Sequence, residues 1–225
     1  MKILTYNIHY STQTKVDKLL GCDADVMILP EVSCPSKIIL PDLYRMEWTG
    51  DIDPHKGLGV IWKSNLKAEV PGWFNPKHQY FLPIIIEGKL IMAAWPTTTG
   101  ENKPKTYPRI AMEALQEYAP YLKEYPSIIS GDMNCFVGQS GETRQYSISA
   151  IFDFLGKMGF VSLYHDNTGE LLGKEKTATY YHLFKENSPF FLDYTFSNIP
   201  CESYHLGKWD KAFNDHVPQY IRIVD

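Results

Sequence analysis

The residues best suited to chemistry gather first in Ser127-Ile128-Ile129-Ser130-Gly131-Asp132-Met133-Asn134. Ile128 and Ile129 follow Pro126 as a short apolar run, and Gly131 lets the backbone turn so that Asp132 and Asn134 emerge at the strand's carboxyl end. In an α/β protein that edge is the usual place for a ligand. A carboxylate with a carboxamide two residues on can hold a metal, a water or a phosphate oxygen on one side. The same residue types also make turns and cap helices, so this pair alone does not separate a site from a loop.

Other stretches repeat the design of a β-like run ending in a polar group. Lys2 to Tyr6 delivers Asn7, Val26 to Pro30 delivers Glu31, and Phe191 to Phe196 alternates Asp193 with aromatic residues. Asn214-Asp215-His216-Val217-Pro218 precedes the β-like Tyr220 to Val224. Taken in this order, the stretches resemble the endonuclease/exonuclease/phosphatase superfamily. These are metal-dependent phosphoesterases, including exonuclease III-like nucleases, pancreatic deoxyribonuclease, sphingomyelinases and inositol polyphosphate phosphatases. The resemblance runs from Asn7 to His216, nearly the whole chain.

The resemblance implies an α/β fold, a four-layer sandwich of two mixed β-sheets packed face to face with helices outside, as one domain over residues 1–225. It implies Mg²⁺ or Mn²⁺ as cofactor, held by Glu31 with Asn7 and Asp215. Asp132 would orient or deprotonate the attacking water, and Asn134 would donate a hydrogen bond to a non-bridging phosphoryl oxygen. His216 would contact the phosphate or transfer a proton, with Asp193 as the partner that orients its ring. Two departures stand out. Asn214 occupies the place where relatives usually carry Ser, and Ala94-Trp95 ends a strand where many relatives carry a His or Tyr that meets the phosphate. Thr97-Thr98-Thr99 and Asn102 are the polar groups available to stand in for that contact, and Trp95 is either a stacking surface for substrate or a core residue.

The elements that must position these groups follow from periodicity. Thr14 to Leu20 reads as a short helix exposing Lys15 and Lys18 over Val16, Leu19 and Leu20. Ser33 to Asp53, broken by Pro35, Pro41 and Gly50, reads as loops. Lys56 to Trp62 reads as a core strand in which Gly57 and Gly59 allow close packing; these glycines lack the helix and terminal Lys-Ser/Thr of a phosphate loop. Leu82 to Ile86 and Lys89 to Ala94 make a hairpin across Glu87-Gly88. Pro108 to Lys123 is an amphipathic helix with Arg109 near its start, placed either to hold a phosphate or to make a structural salt bridge. Ser147 to Met158 is a second helix, and Val161 to His165 and Thr177 to His182 read as extended.

Composition narrows the partners. With 22 basic and 26 acidic residues the net charge is −4, which gives no general attraction to a polyanion. Duplex DNA is therefore a less fitting partner than a phosphorylated small molecule or a single-stranded nucleic acid. The opening residues show no charged-then-apolar leader and no apolar run approaches bilayer length, so a cytoplasmic monomer without a membrane partner is expected. Cys22, Cys34, Cys135 and Cys201 have no metal-site spacing. The expected activity is metal-assisted hydrolysis of a phosphodiester or phosphomonoester. The alternatives are a DNA nuclease of the abasic-site or exonuclease type and a catalytically silent relative that binds phosphorylated ligands or a protein.

Overall fold

The computed structural model describes residues 1–50, 53–98 and 102–224. The first half of the chain runs β1 (Lys2–Thr5), α1 (Gln13–Leu20), β2 (Val26–Val32), β3 (Tyr44–Gly50), β4 (Gly57–Lys63), β5 (Ala68–Glu69), β6 (Phe81–Ile86), β7 (Lys89–Ala94) and α2 (Tyr107–Glu124). The second half runs β8 (Ser127–Asp132), α3 (Ile148–Gly156), β9 (Val161–Ser162), α4 (Leu163–Thr168), β10 (Tyr180–Tyr181), β11 (Pro189–Phe190), β12 (Asp193–Ser197), β13 (Cys201–Leu206) and β14 (Gln219–Ile223). Two mixed sheets result, ordered β13-β14-β1-β2-β4-β3 and β5-β6-β7-β8-β12-β9, with β10 and β11 as a separate ribbon. The parallel pairs are β1 with β2 and β7 with β8, at the centre of each sheet.

Side-chain alternation explains the layering. In the first sheet Ile3, Val26, Ile28, Leu58 and Val60 face the core shared with the second sheet. Leu4, Met27, Leu29 and Ile61 face the other way, onto Val16 and Leu19 of α1. In the second sheet Leu90 to Ala94 are all fully buried, as a strand covered on both faces requires. One cover is the first sheet; the other is helical, with α2 burying Ile110, Ala111, Ala114, Leu115, Tyr118 and Leu122 at 3.6-residue spacing. The architecture is the expected four-layer α/β sandwich. No helix among the described residues is long and apolar enough to cross a membrane.

Glycine is required where β8 meets β7. Gly131 has φ 151°, and a Cβ there would sit 1.8 Å from the Ala94 carbonyl oxygen. In the first sheet the Trp48 ring lies over Gly57, where any Cβ would meet it at 2.3 Å, so these glycines do serve close packing.

Three sequence expectations need correction. The stretch from Ser33 to Asp53 contains β3, an edge strand paired along its length with β4. Its charged Arg45 and Glu47 and its half-buried residues hide the alternation that would have marked it. Val161 to His165 is extended only at Val161–Ser162, after which α4 begins and ends at left-handed Gly169. Lys15 is half-buried rather than exposed, its Nζ donating to the carbonyls of Ile8 at 2.6 Å and His9 at 3.1 Å.

Candidate active site

Asp132 and Asp193 lie directly opposite each other in the antiparallel β8–β12 ladder, each 1% exposed. Two carboxylates so placed repel when both are ionised, and a cation relieves them. His216 supplies one: its Nδ1 is 2.9 Å from Asp193 Oδ2, and its Nε2 is 4.0 Å from Asp132 Oδ2. The backbone before β14 brings it there, with the Val217 N–H donating to Thr179 O and the Tyr181 N–H to Asp215 O, each at 2.8 Å. The Tyr180 ring covers the imidazole at 4.6 Å.

Electrostatics follow from this burial. Loss of water pulls the His216 pKa down, but the charge and hydrogen bond of Asp193, with Asp132 and Asp215, outweigh it and lift the value from 6.5 to about 9. Burial and the neighbouring Asp193 push the Asp132 carboxyl up as well, to about 7, against the pull of His216, the Asn134 N–H and Asn7. Burial, with Asp215, Asp132 and Glu31, raises the Tyr180 phenol to about 12.

Beside this cluster stand the groups expected to hold metal. The Asn7 amide donates to Asp132 Oδ2 at 2.9 Å and to Glu31 Oε1 at 3.3 Å, joining the two halves of the site. Glu31 is the extra residue of a bulge between Pro30 and Val32, with φ 61°, so its side chain leaves the ladder. Trp48 Nε1 holds the bulge by donating to Val32 O at 3.0 Å. Asn214 ties the last site segment to the first strand, donating through Nδ2 to the Asn7 carbonyl and accepting from the Asp215 N–H through Oδ1. This is how Asn serves at that position.

Among the described residues, the buried Glu31 Oε2 and Asp215 Oδ1 have no hydrogen-bond donor. Lys56 Nζ makes an ion pair with the first at 3.1 Å without hydrogen-bond geometry. Carboxylate oxygens so placed fit a hard divalent ion such as Mg²⁺ or Mn²⁺; Asn7 Oδ1, the remaining oxygen of the expected set, accepts from the His9 N–H at 3.0 Å. Asp132, Asp193 and His216 form a second set whose ligand atoms all lie within 4.8 Å of one another. Asn134, in the left-handed region at φ 51°, gives its N–H to Asp132 Oδ1 at 2.8 Å and one amide hydrogen to Pro96 O at 3.1 Å.

Asn7, Glu31, Asp132, Asn134, Asp193, Asp215 and His216 therefore converge, whereas two other candidates do not join them. Arg109 makes an i,i+4 salt bridge to Glu113 at 2.8 Å and lies over the Tyr146 ring at 5.5 Å, which is the structural alternative. Trp95 is 3% exposed and packs edge-on to Tyr80 at 5.2 Å, so it is a core residue with no face free for stacking. Thr97 and Thr98 are half-buried, and Thr99 lies outside the described residues. Cys135 is fully buried and its thiol pKa is pushed well up by burial, an inert core residue.

The sequence reading did not place Lys56 or His9 at the site. Lys56 lies over the rings of Tyr10 and Trp95 at 5.1 and 5.5 Å as well as against Glu31. His9 Nδ1 is 3.3 Å from Asp215 Oδ2, with His9 and Tyr10 both at positive φ. A lone loop histidine and a lysine before a strand carry no spacing signal; only their partners mark them.

No family profile matches the sequence, and no curated protein does. Solved structures do match at the level of fold. A 3′ phosphatase, NExo, from Neisseria bound to product DNA hairpin shares 13% identity over 100% of both chains, with a TM-score of 0.72. An endonuclease/exonuclease/phosphatase family protein from Leptotrichia buccalis shares 18% identity over 100% of both chains, TM-score 0.57. Humanized D. rerio TDP2 shares 14% identity over 98% of this chain and 97% of that one, TM-score 0.60. The chain has the endonuclease/exonuclease/phosphatase fold.

Proposed function

We propose that this protein is a Mg²⁺- or Mn²⁺-dependent phosphoesterase acting on a small or single-stranded phosphate ester. The observation that carries the reading is the buried Asp132–Asp193–His216 cluster beside two carboxylate oxygens, Glu31 Oε2 and Asp215 Oδ1, that lack donors. A divalent ion held by Glu31, Asn7 and Asp215 would neutralise charge on the phosphoryl oxygens and the leaving group. Asp132, its pKa lifted to about 7, is matched to take a proton from the attacking water near neutrality. His216, kept as imidazolium by Asp193, faces the phosphate with its other nitrogen and stabilises charge on it. Asn134 has a second amide hydrogen for a non-bridging oxygen, and Asn7 fixes Asp132 relative to Glu31.

The runner-up is a DNA nuclease, in line with the fold neighbours that include the endonuclease domain of TRAS1, a telomere-specific non-LTR retrotransposon. Against duplex binding, Lys18, Lys56 and Arg109 are each spent on an acidic partner. The test is a metal-supplemented screen of purified protein against abasic DNA, single-stranded DNA and RNA, inositol phosphates, choline phospholipids and aryl phosphodiesters. Hydrolysis should require metal and stop with excess chelator. Glu31→Gln should raise the metal concentration needed for half activity by about tenfold or more while the circular dichroism spectrum stays unchanged. Undiminished hydrolysis in chelator would refute the mechanism.

A further inference from the structure

One residue layer below the site, the apolar core between the sheets is interrupted by four polar side chains, Thr5, Ser130, Thr195 and Gln219, each at most 1% exposed. Their placement is regular. Thr5 and Gln219 are direct partners in the β1–β14 ladder of the first sheet, and Ser130 and Thr195 are direct partners in the β8–β12 ladder of the second. Two of the row's hydrogen bonds cross the gap between sheets: Thr5 Oγ1 to Ser130 Oγ at 2.7 Å, and Thr195 Oγ1 to Gln219 Oε1 at 2.9 Å. A third joins Ser130 Oγ to Thr195 Oγ1 at 2.6 Å, and Tyr204 donates its hydroxyl to Gln219 Oε1 at 2.8 Å.

A hydroxyl donates only one hydrogen, which orders the row. Thr195 gives its hydrogen to Gln219, so it accepts from Ser130, which in turn accepts from Thr5. Turning the Gln219 amide over would reverse every donor and acceptor and leave each link in place. As it stands, Gln219 Nε2 has no hydrogen-bond partner among the described residues. An apolar filling would avoid both that cost and the desolvation of three hydroxyls.

Each member of the row lies on a strand that carries a site residue or leads directly to one. Thr5 lies two residues before Asn7, Ser130 two before Asp132, Thr195 two after Asp193, and Gln219 three after His216. The first sheet thus carries Asn7, Glu31 and, through the segment entering β14, Asp215 and His216, whereas the second carries Asp132, Asn134 and Asp193. Apolar contacts between sheets are non-directional and tolerate sliding; hydrogen bonds across the gap do not.

We propose that Thr5, Ser130, Thr195 and Gln219 are positioning residues that fix the alignment of the two sheets and thereby the spacing between the two halves of the site. The catalytic consequence rests on the phosphoesterase reading; the alignment itself does not. The pivotal variant is Thr195→Val, which keeps the shape but removes a cross-sheet bond, with Thr195→Ser restoring the hydroxyl. Thr5→Val breaks the other bridge and serves if Thr195→Val does not fold. Ile84→Val, a buried change in the same core outside the row, controls for lost stability.

Residual dipolar couplings of backbone amides in the metal-free protein report the relative orientation of the sheets without reference to activity. Thr195→Val should change that orientation and lower kcat by about tenfold or more with KM little altered, because small misplacements of reacting groups are costly. Thr195→Ser should recover both, and Ile84→Val should change neither. Unaltered couplings in Thr195→Val and Thr5→Val would overturn the proposal whatever the kinetics. Altered couplings with full kcat would overturn its catalytic half. If the wild-type protein hydrolyses no phosphate ester, the phosphoesterase reading fails while the couplings still decide the alignment.

Discussion

Replacing Asp193 by Asn tests the part of the site on which the chemistry most depends. Burial alone would hold the His216 pKa below its ordinary 6.5, and Asp193, 2.9 Å from Nδ1, is the leading reason that it stands at about 9. Removing that charge while keeping the shape should return the value to about 6.5. At about pH 8 the imidazolium fraction then falls from about nine-tenths to about 3%, a loss of about thirtyfold in turnover if the cation is required. At about pH 6 both proteins remain mostly protonated, and the deficit from charge should shrink to less than about twofold. A cation held at Glu31 and Asp215 would lower both pKa values together, moving the window without reversing its sign. The assay is hydrolysis of bis(p-nitrophenyl) phosphate with Mn²⁺ across pH, paired with nuclear magnetic resonance titration of the His216 ring in metal-free protein. His216→Ala should cost about a hundredfold or more, and the double variant should be little worse, as for groups that act as one unit. A ring titration unmoved by Asp193→Asn, a deficit equal at both pH values, or losses that multiply in the double variant would each refute the pairing argument.

Metal-free stability should fall as pH rises. The folded pKa of His216 is raised, so its contribution is complete below 6.5 and lost on approach to about 9; Asp132, raised from 3.8 to about 7, destabilises the fold as it ionises across that range. Urea midpoints that rise from about pH 5.5 to about pH 9 would contradict both signs. Gly131→Ala should destabilise by about 3 kcal/mol or more, because the added Cβ meets the Ala94 carbonyl and the backbone lies at positive φ; an unchanged urea midpoint would show that the strands part without cost. Undamaged duplex DNA should bind weakly with a shallow salt dependence, since the net charge is −4 and the exposed cations named above are paired. Tight binding that collapses between low and moderate salt would favour the nuclease alternative.

The sequence by itself determined the architecture and the strand ends from which the polar groups emerge. Strand-length apolar runs at Val26 to Leu29 and Ile128-Ile129, and the 3.6-residue spacing from Ile110 to Leu122, are local patterns that burial on one or two faces enforces. The polar groups ending those runs had little choice of position, because a strand's carboxyl end projects them to one edge of the sandwich. What the tertiary structure decided is relational. That Glu31 leaves its ladder depends on a bulge and on Trp48 reaching Val32, which no local pattern encodes. Arg109 and Trp95 were ambiguous as types and were resolved by a glutamate four residues on and by a tyrosine across the β6–β7 end. β3 was missed because an edge strand buries too little to show alternation. The opposition of Asp132 to Asp193, and of Ser130 to Thr195 beneath them, is a matter of register between strands about sixty residues apart. Register is set by the fit of whole faces, so it exists only once both sheets have formed.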